Sequence, residues 1–141
     1  DRRPRLKVFL SEVQDGIVPD TWWSHRAAGH NQEAKKEQRR LFPDLEPFAT
    51  PKPERLLERV LRMATDPGEL VLDAYAGSGT TGAVAHKLGR RWLMVEQGAH
   101  CEQLVRERLA RVVDGEDTGG ITRSAGWTGG GGFRYWTVCT Q

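Results

Sequence analysis

A run of small residues between two carboxylates is the part of this chain equipped for chemistry. It reads Val71-Leu72-Asp73-Ala74-Tyr75-Ala76-Gly77-Ser78-Gly79-Thr80-Thr81-Gly82, and Glu96 follows. Gly77, Gly79 and Gly82 satisfy G-x-G-x-x-G, and Glu96 stands about 20 residues on, where the dinucleotide fingerprint places an acid. Glycines let a backbone take positive φ and approach a ligand closely. The acid can accept both ribose hydroxyls. Such a set holds a nucleotide-type cofactor; a tight strand-to-helix turn with no ligand is the plain alternative.

Asp73 decides between cofactors. In a dinucleotide site the helix N-terminus faces a pyrophosphate, which a carboxylate at the strand end would repel. S-adenosyl-L-methionine presents an ammonium and a sulfonium, for which Asp73 is a sensible neighbour. No lysine follows the glycines, which excludes the G-K-[ST] of a phosphate-cradling loop. The residues therefore favour S-adenosyl-L-methionine over NAD, whose case rests on the glycine spacing alone.

The elements around the loop can be read from periodicity. Leu70-Val71-Leu72 is a continuous apolar run, as expected of a strand covered on both faces. The loop leads into a helix carrying Ala83, Val84, Ala85 and Leu88, with Gly89 as its C′ residue. Trp92-Leu93-Met94-Val95 reads as a second buried strand ending at Glu96. Cys101 to Val113 reads as a third helix with Leu104, Val105, Leu109, Val112 and Val113 inward. Upstream, Thr50 and Lys52 each precede a proline and should be extended. A helix should start at Pro53, with Glu54 suiting its dipole. Its apolar face is Leu56, Leu57, Val60, Leu61 and Ala64, and its polar face Arg55, Glu58, Arg59 and Arg62. The order helix, strand, helix, strand, helix predicts an α/β fold with parallel strands and right-handed crossovers.

The flanks are less regular. Leu6 to Leu10 suggests a short strand, and Gly16 to Asp20 a turn-rich link. Trp22-Trp23 reads as packing, and Gln32 to Leu41 as a polar helix ended by Pro43. Beyond Asp114 the chain is Gly-rich, and Phe133 to Val138 suggests a terminal strand. Three regions result: 1–47, a linker with the polar helix; 48–114, the α/β core; and 115–141, the Gly-rich linker with its strand.

Bulk properties exclude several classes. The 141 residues suffice for one domain. A net charge of +2 does not announce a nucleic-acid binder. The basic clusters Arg2, Arg3, Arg5, Lys7 and Lys35, Lys36, Arg39, Arg40 read first as solvated faces. Contact with DNA phosphates is their alternative role. Cys101 and Cys139 are too scattered for a disulfide framework, and the four histidines lack ligand spacing, so no metal site is expected. No apolar run could span a bilayer, and no signal segment opens the chain; no membrane association and a cytoplasmic location are expected.

Asp73 to Thr81 resembles the cofactor loop of amino-methylating DNA methyltransferases, which modify adenine N6 or cytosine N4. Thr50-Pro51-Lys52-Pro53 resembles that family's other cofactor-binding motif. Its position before the loop matches the circularly permuted, β-class order. Trp92 to Glu96 is similar to the family's second strand, whose acid binds the ribose. Gly29 to Lys36, Leu41-Phe42-Pro43 and Gly132-Phe133-Arg134-Tyr135 resemble, in that order, segments of the methylating subunit of type III restriction–modification systems.

The resemblance implies a Rossmann-like S-adenosylmethionine-dependent methyltransferase fold, present here as its C-terminal, cofactor-binding half. It implies cofactor contacts at Thr50, Pro51, Lys52, Pro53, Asp73, Tyr75, Ala76, Gly77, Ser78, Gly79, Thr80, Thr81 and Glu96. Asp73, Tyr75, Gly77 and Gly79 would line the methionine end, Thr50, Lys52 and Pro53 would face it, and Glu96 would hold the ribose. A solvated cap competes for Lys52, and core packing for Tyr75. The implied substrate is adenine N6 in double-stranded DNA, with cytosine N4 as the alternative. A second copy and a restriction subunit are further candidate partners. The family grips its extruded base with a double-proline aromatic motif. No two prolines are adjacent here, so no catalytic residue is assigned. The chain is expected to be a C-terminal fragment that binds cofactor weakly, cannot methylate DNA alone, and leaves an apolar sheet edge uncovered. A non-catalytic α/β module and an NAD-binding oxidoreductase fragment are the competing readings.

Overall fold

A computed structural model describes residues 19–138. The expected strand at Leu6–Leu10, the N-terminal basic cluster, the first residues of the Gly16–Asp20 link and Cys139 lie outside them. The described elements are α1 (His25–Ala28), α2 (Asn31–Leu41), α3 (Glu54–Ala64), β1 (Leu70–Asp73), α4 (Thr80–Lys87) and β2 (Arg91–Met94). A π-helical turn over Cys101–Arg106 then runs into α5 (Glu107–Asp114), and α6 (Thr122–Ala125) follows. The chain is thus α/β, with a small two-stranded sheet.

β1 and β2 are parallel, with Leu70 opposite Arg91, Val71 opposite Trp92, Leu72 opposite Leu93 and Asp73 opposite Met94. The ladder continues past both strands, because the Val95 N–H donates to Asp73 O and the Ala76 N–H to Val95 O. Asp73 and Glu96 therefore emerge at the same end of neighbouring strands, with the glycine loop beside them.

The helices cover one face of the sheet. Val71 is buried with Leu61 of α3, Val84 and Ala85 of α4, and Ile121. A second cluster joins Ala76, Val105 and Leu109 to Trp92, Met94 and Phe133. Here the structure corrects the expectation of strands covered on both faces. Leu70 and Leu72 are 55% and 65% exposed, and Leu93 and Val95 are 46% and 53% exposed. Among the described residues nothing lies over that side.

Other differences are local. α3 begins at Glu54, because Pro53 stays extended at ψ 143° as its N-cap. Ala64, the last residue of α3, is exposed rather than on the buried face. The third helix is π-helical for its first six residues. Residues 133–138 form no strand. The preceding Gly129, Gly130 and Gly131 all take positive φ, and Gly130 O is held by the His86 ring at 2.9 Å, which turns the backbone out of extended geometry. Trp23 packs under Arg59, but Trp22 is 78% exposed, contrary to the packing expected of both. Among the described residues no helix is long and apolar enough to cross a membrane.

Candidate functional site

The loop between β1 and α4 is held by side chains from three other elements. Gly77 and Gly79 take φ +55° and +74°, which L side chains rarely adopt. The Gly79 N–H closes a turn onto Ala76 O at 2.8 Å. At Gly82 a Cβ would overlap Met94 of β2, so its lack of a side chain lets α4 lie close to the sheet.

The two strand-end carboxylates bracket the loop differently. Asp73 Oδ1 accepts the Tyr75 N–H at 3.0 Å, an Asx-type turn that leaves Oδ2 open. Tyr75 itself is 87% exposed, which sets aside core packing for it. Glu96 Oε2 accepts the Gly77 N–H and Oε1 the Gly98 N–H, each at 2.8 Å. The Gly98 N–H, aided by that of Gly77 and by His100 and opposed by desolvation, holds the Glu96 carboxyl below the usual range. Each oxygen keeps a second lone pair for another donor. His100 Nε2 lies 3.0 Å from Gly77 O; a carbonyl only accepts, so Nε2 carries the proton. Phe48 packs against His100 at 5.1 Å between ring centroids and lies over Gly77. Its own backbone N–H is fixed by Gln38 Oε1 at 3.0 Å.

The Thr50–Pro53 segment meets the loop at one hydroxyl. Thr80 Oγ1 is 3.1 Å from Lys52 O, 2.9 Å from Ser78 Oγ and 3.0 Å from an Arg108 nitrogen. Lys52 O can only accept and Arg108 can only donate. The single Thr80 hydrogen therefore goes to Lys52 O, and Ser78 donates to Thr80. Every hydrogen-bonding position of that hydroxyl is used. Pro51 and Pro53 are buried, while Thr50 and the Lys52 side chain are exposed at the rim. Thr81 is half-buried one residue into α4.

Beneath the loop lies a buried ion cluster. Lys87 Nζ donates to both oxygens of Glu54, at 3.0 and 2.8 Å, and to Asp117 Oδ2 at 2.8 Å. Arg108 donates to Glu54 Oε1 at 2.8 Å and to Ser78 O at 3.1 Å. The Ile121 N–H completes Glu54 at 2.9 Å. All four side chains are at least nine-tenths buried, and two cations balance two carboxylates. Burial pushes the Asp117 carboxyl up, but the Lys87 charge and hydrogen bond, with Arg108, hold it below its usual range. Glu37 lies outside this pairing. Its carboxyl is pushed up to about 7 by burial and then by Glu54, against the pull of Arg108 and the Glu54 backbone N–H.

The structure thus joins Lys52, Ser78 and Thr80 in one contact and Gly77 and Glu96 in another. Phe48, His100, Glu54 and Arg108 are the parts that sequence reasoning missed. The set offers two carboxylates, positive-φ glycines and an uncapped helix N-terminus, with Lys52 as an exposed cation at its rim. Such a donor set suits a cationic ligand with a ribose and does not suit a pyrophosphate. A separate shallow groove lies between Phe42, Leu45 and the outer side of α5 at Glu107 and Arg111, away from the loop.

A family model described as DNA methylase matches residues 2–107. A probable type III restriction-modification enzyme HindVI Mod subunit of Haemophilus influenzae is 51% identical over 84 residues, 60% of this chain and 11% of the relative. The type II methyltransferase M2.DpnII of Streptococcus pneumoniae is 45% identical over 60 residues, 43% of this chain and 22% of the relative. The DNA adenine methyltransferase YhdJ of Escherichia coli is 38% identical over 91 residues, 64% of this chain and 31% of the relative. The chain therefore spans between 11% and 31% of the length of these curated relatives.

Proposed function

The chain belongs to the DNA methylase family, and on that premise we propose that it forms the S-adenosyl-L-methionine-binding part of a DNA adenine-N6 methyltransferase, with a Rossmann-like architecture completed elsewhere in the protein. One observation carries the cofactor reading. Asp73 ends β1, Glu96 follows the parallel β2, and the two flank a positive-φ glycine loop that offers no phosphate-binding lysine. Among the described residues nothing engages Asp73 Oδ2, which can meet an ammonium, and the spare lone pairs of Glu96 can accept ribose hydroxyls. Tyr75, Gly77 and Gly79 line the same end. Thr50, Pro51, Lys52 and Pro53 face it from the start of α3; Ala76, Ser78 and Thr80 hold the loop's shape through their hydrogen bonds, and Thr81 joins them at the start of α4.

When bound, the cofactor supplies a methyl group on a sulfonium. This chain's residues bind and orient that donor, and base presentation is assigned to other parts of the protein. Adenine N6 is preferred over cytosine N4 because a relative at 38% identity is named a DNA adenine methyltransferase. The identity to a Mod subunit supports double-stranded DNA and a restriction subunit as partners of the whole protein.

Titration calorimetry with S-adenosylhomocysteine, S-adenosylmethionine and NAD tests the cofactor. Binding of the first two and none of NAD is expected, and a preference for NAD would overturn the reading. Nucleoside mass spectrometry of duplex DNA treated with the intact protein separates the targets. N6-methyladenine supports the proposal, whereas N4-methylcytosine replaces it with the alternative.

A further inference from the structure

The shape of the glycine loop is set from below by a side chain outside both of the sequence motifs. One terminal nitrogen of Arg108 donates to Ser78 O at 3.1 Å and to Thr80 Oγ1 at 3.0 Å. These acceptors flank Gly79, the φ +74° residue that ends the loop and caps α4. The other terminal nitrogen is held by Glu54 Oε1 at 2.8 Å, and Lys87 and the Ile121 N–H hold Glu54 in turn. The helix that carries Arg108 also closes on the loop directly. Val105 Cγ1 lies 3.1 Å from where a Gly79 Cβ would stand.

Stability alone accounts poorly for this arrangement. A buried guanidinium is costly to desolvate, and packed apolar residues of similar volume commonly serve as well or better. Its Nε is moreover buried without a partner among the described residues. What an apolar residue could not do is grip two loop acceptors at a fixed spacing. The planar guanidinium can.

We propose that Arg108, anchored by Glu54, is the positioning residue of the glycine loop, fixing Ser78 and Thr80 around Gly79 so that the loop is formed before its ligand arrives. Arg108 touches no ligand in this scheme and acts through Thr80, which in turn fixes Lys52 O. Preorganisation of this kind raises affinity by removing the ordering cost from the binding step. The inference rests on the cofactor reading above for every readout except loop hydrogen exchange.

The test compares Arg108→Met, Thr80→Val and the double variant in the intact protein. S-adenosylhomocysteine affinity and amide hydrogen exchange over Gly77–Thr81 are measured in each. Each single variant loses at least one charge-assisted contact to the loop, which predicts a Kd raised about tenfold or more. The double variant should be no worse than either, because both cut the same link. Exchange over the loop should quicken while β1 is unchanged. The Michaelis constant for S-adenosylmethionine should rise with kcat retained, and Thr80→Ser should recover most of the loss. Additive losses, or a Kd and loop exchange left unchanged by either substitution, overturn the proposal. If the unsubstituted protein binds no S-adenosylhomocysteine, the cofactor reading falls, and loop exchange alone then decides the role of Arg108. Should Arg108→Met fail to fold, Thr80→Val and Arg108→Lys carry the comparison, since both keep a second cation beside Lys87 at Glu54.

Discussion

The two sides of this small sheet are built from opposite materials. On the helix side, four charged groups lie at least nine-tenths buried within a neutral, fully cross-linked cluster. On the other side, Leu70, Leu72, Leu93 and Val95 form an exposed apolar stripe. Charge is inside and hydrocarbon outside, the reverse of what transfer energies favour for an isolated domain. The difference teaches which contacts are complete within this chain. The side beneath the loop is closed, since its ions find partners on α3, α4, α5 and the segment after α5. The apolar side is unfinished, since none of the described residues gives it a partner.

The comparison can be broken most severely at Glu54. Glu54→Ala leaves Lys87 with Asp117 alone and Arg108 without a carboxylate in the interior, and should cost about 3–5 kcal/mol by urea denaturation. A loss below about 1 kcal/mol would mean that water reaches the cluster. Gly120→Ala should follow. Its φ is +54° and a Cβ would overlap the Glu54 carboxylate, so overpacking of about 1–3 kcal/mol is expected in the same measurement.

Glu37 gives a smaller, pH-dependent effect. Its folded value of about 7 lies above the ordinary 4.5. The unfolded chain therefore releases the proton first, and stability falls as pH rises between those values. The contribution is complete below pH 4.5 and gone once pH has passed about 7. Glu37→Gln should flatten that slope in melting temperature, and an unaltered slope would assign it to other groups. The smallest effect should come from the apolar side. Leu72→Ser in the 141-residue chain should stay within about 0.5 kcal/mol of the parent while reducing self-association in sedimentation. A loss of about 2 kcal/mol or more would show that something covers Leu72, and the contrast would disappear.

Much of the scaffold around the loop was legible. β1, α4 and β2 follow from apolar runs punctuated by glycine, and both strand-end acids stand where the pattern put them. The buried cluster is legible in principle. Arg108 interrupts the stripe of Leu104, Val105, Leu109 and Val112; Lys87 lies one turn beyond Ala83 and Val84; Glu54 lies on the line of Leu57 and Leu61. Charges of opposite sign on the apolar stripes of three packed helices can be buried only by meeting. Glu54 by itself fits equally well as an ordinary first-turn acid, a role that needs no partner. Asp117 and Ile121 were out of reach, since a Gly-rich segment carries no periodicity to say that it folds back into the core. The exposed stripe was also illegible. Leu70-Val71-Leu72 has the local pattern of a strand covered twice, and local pattern does not say what supplies the second cover.

Gly120 changes how the Gly-rich segment should tolerate mutation. Such stretches are commonly treated as spacers in which substitutions pass unnoticed. Gly132 fits that description, with nothing within 4 Å of its missing Cβ and an ordinary φ. Gly120 is seated against the carboxylate that organises the interior, twelve residues earlier in the same stretch. A saturation library across this segment should return marked intolerance at 120 and near-indifference at 132. The spacer would then be seen to contain a keystone that hydropathy and composition do not reveal.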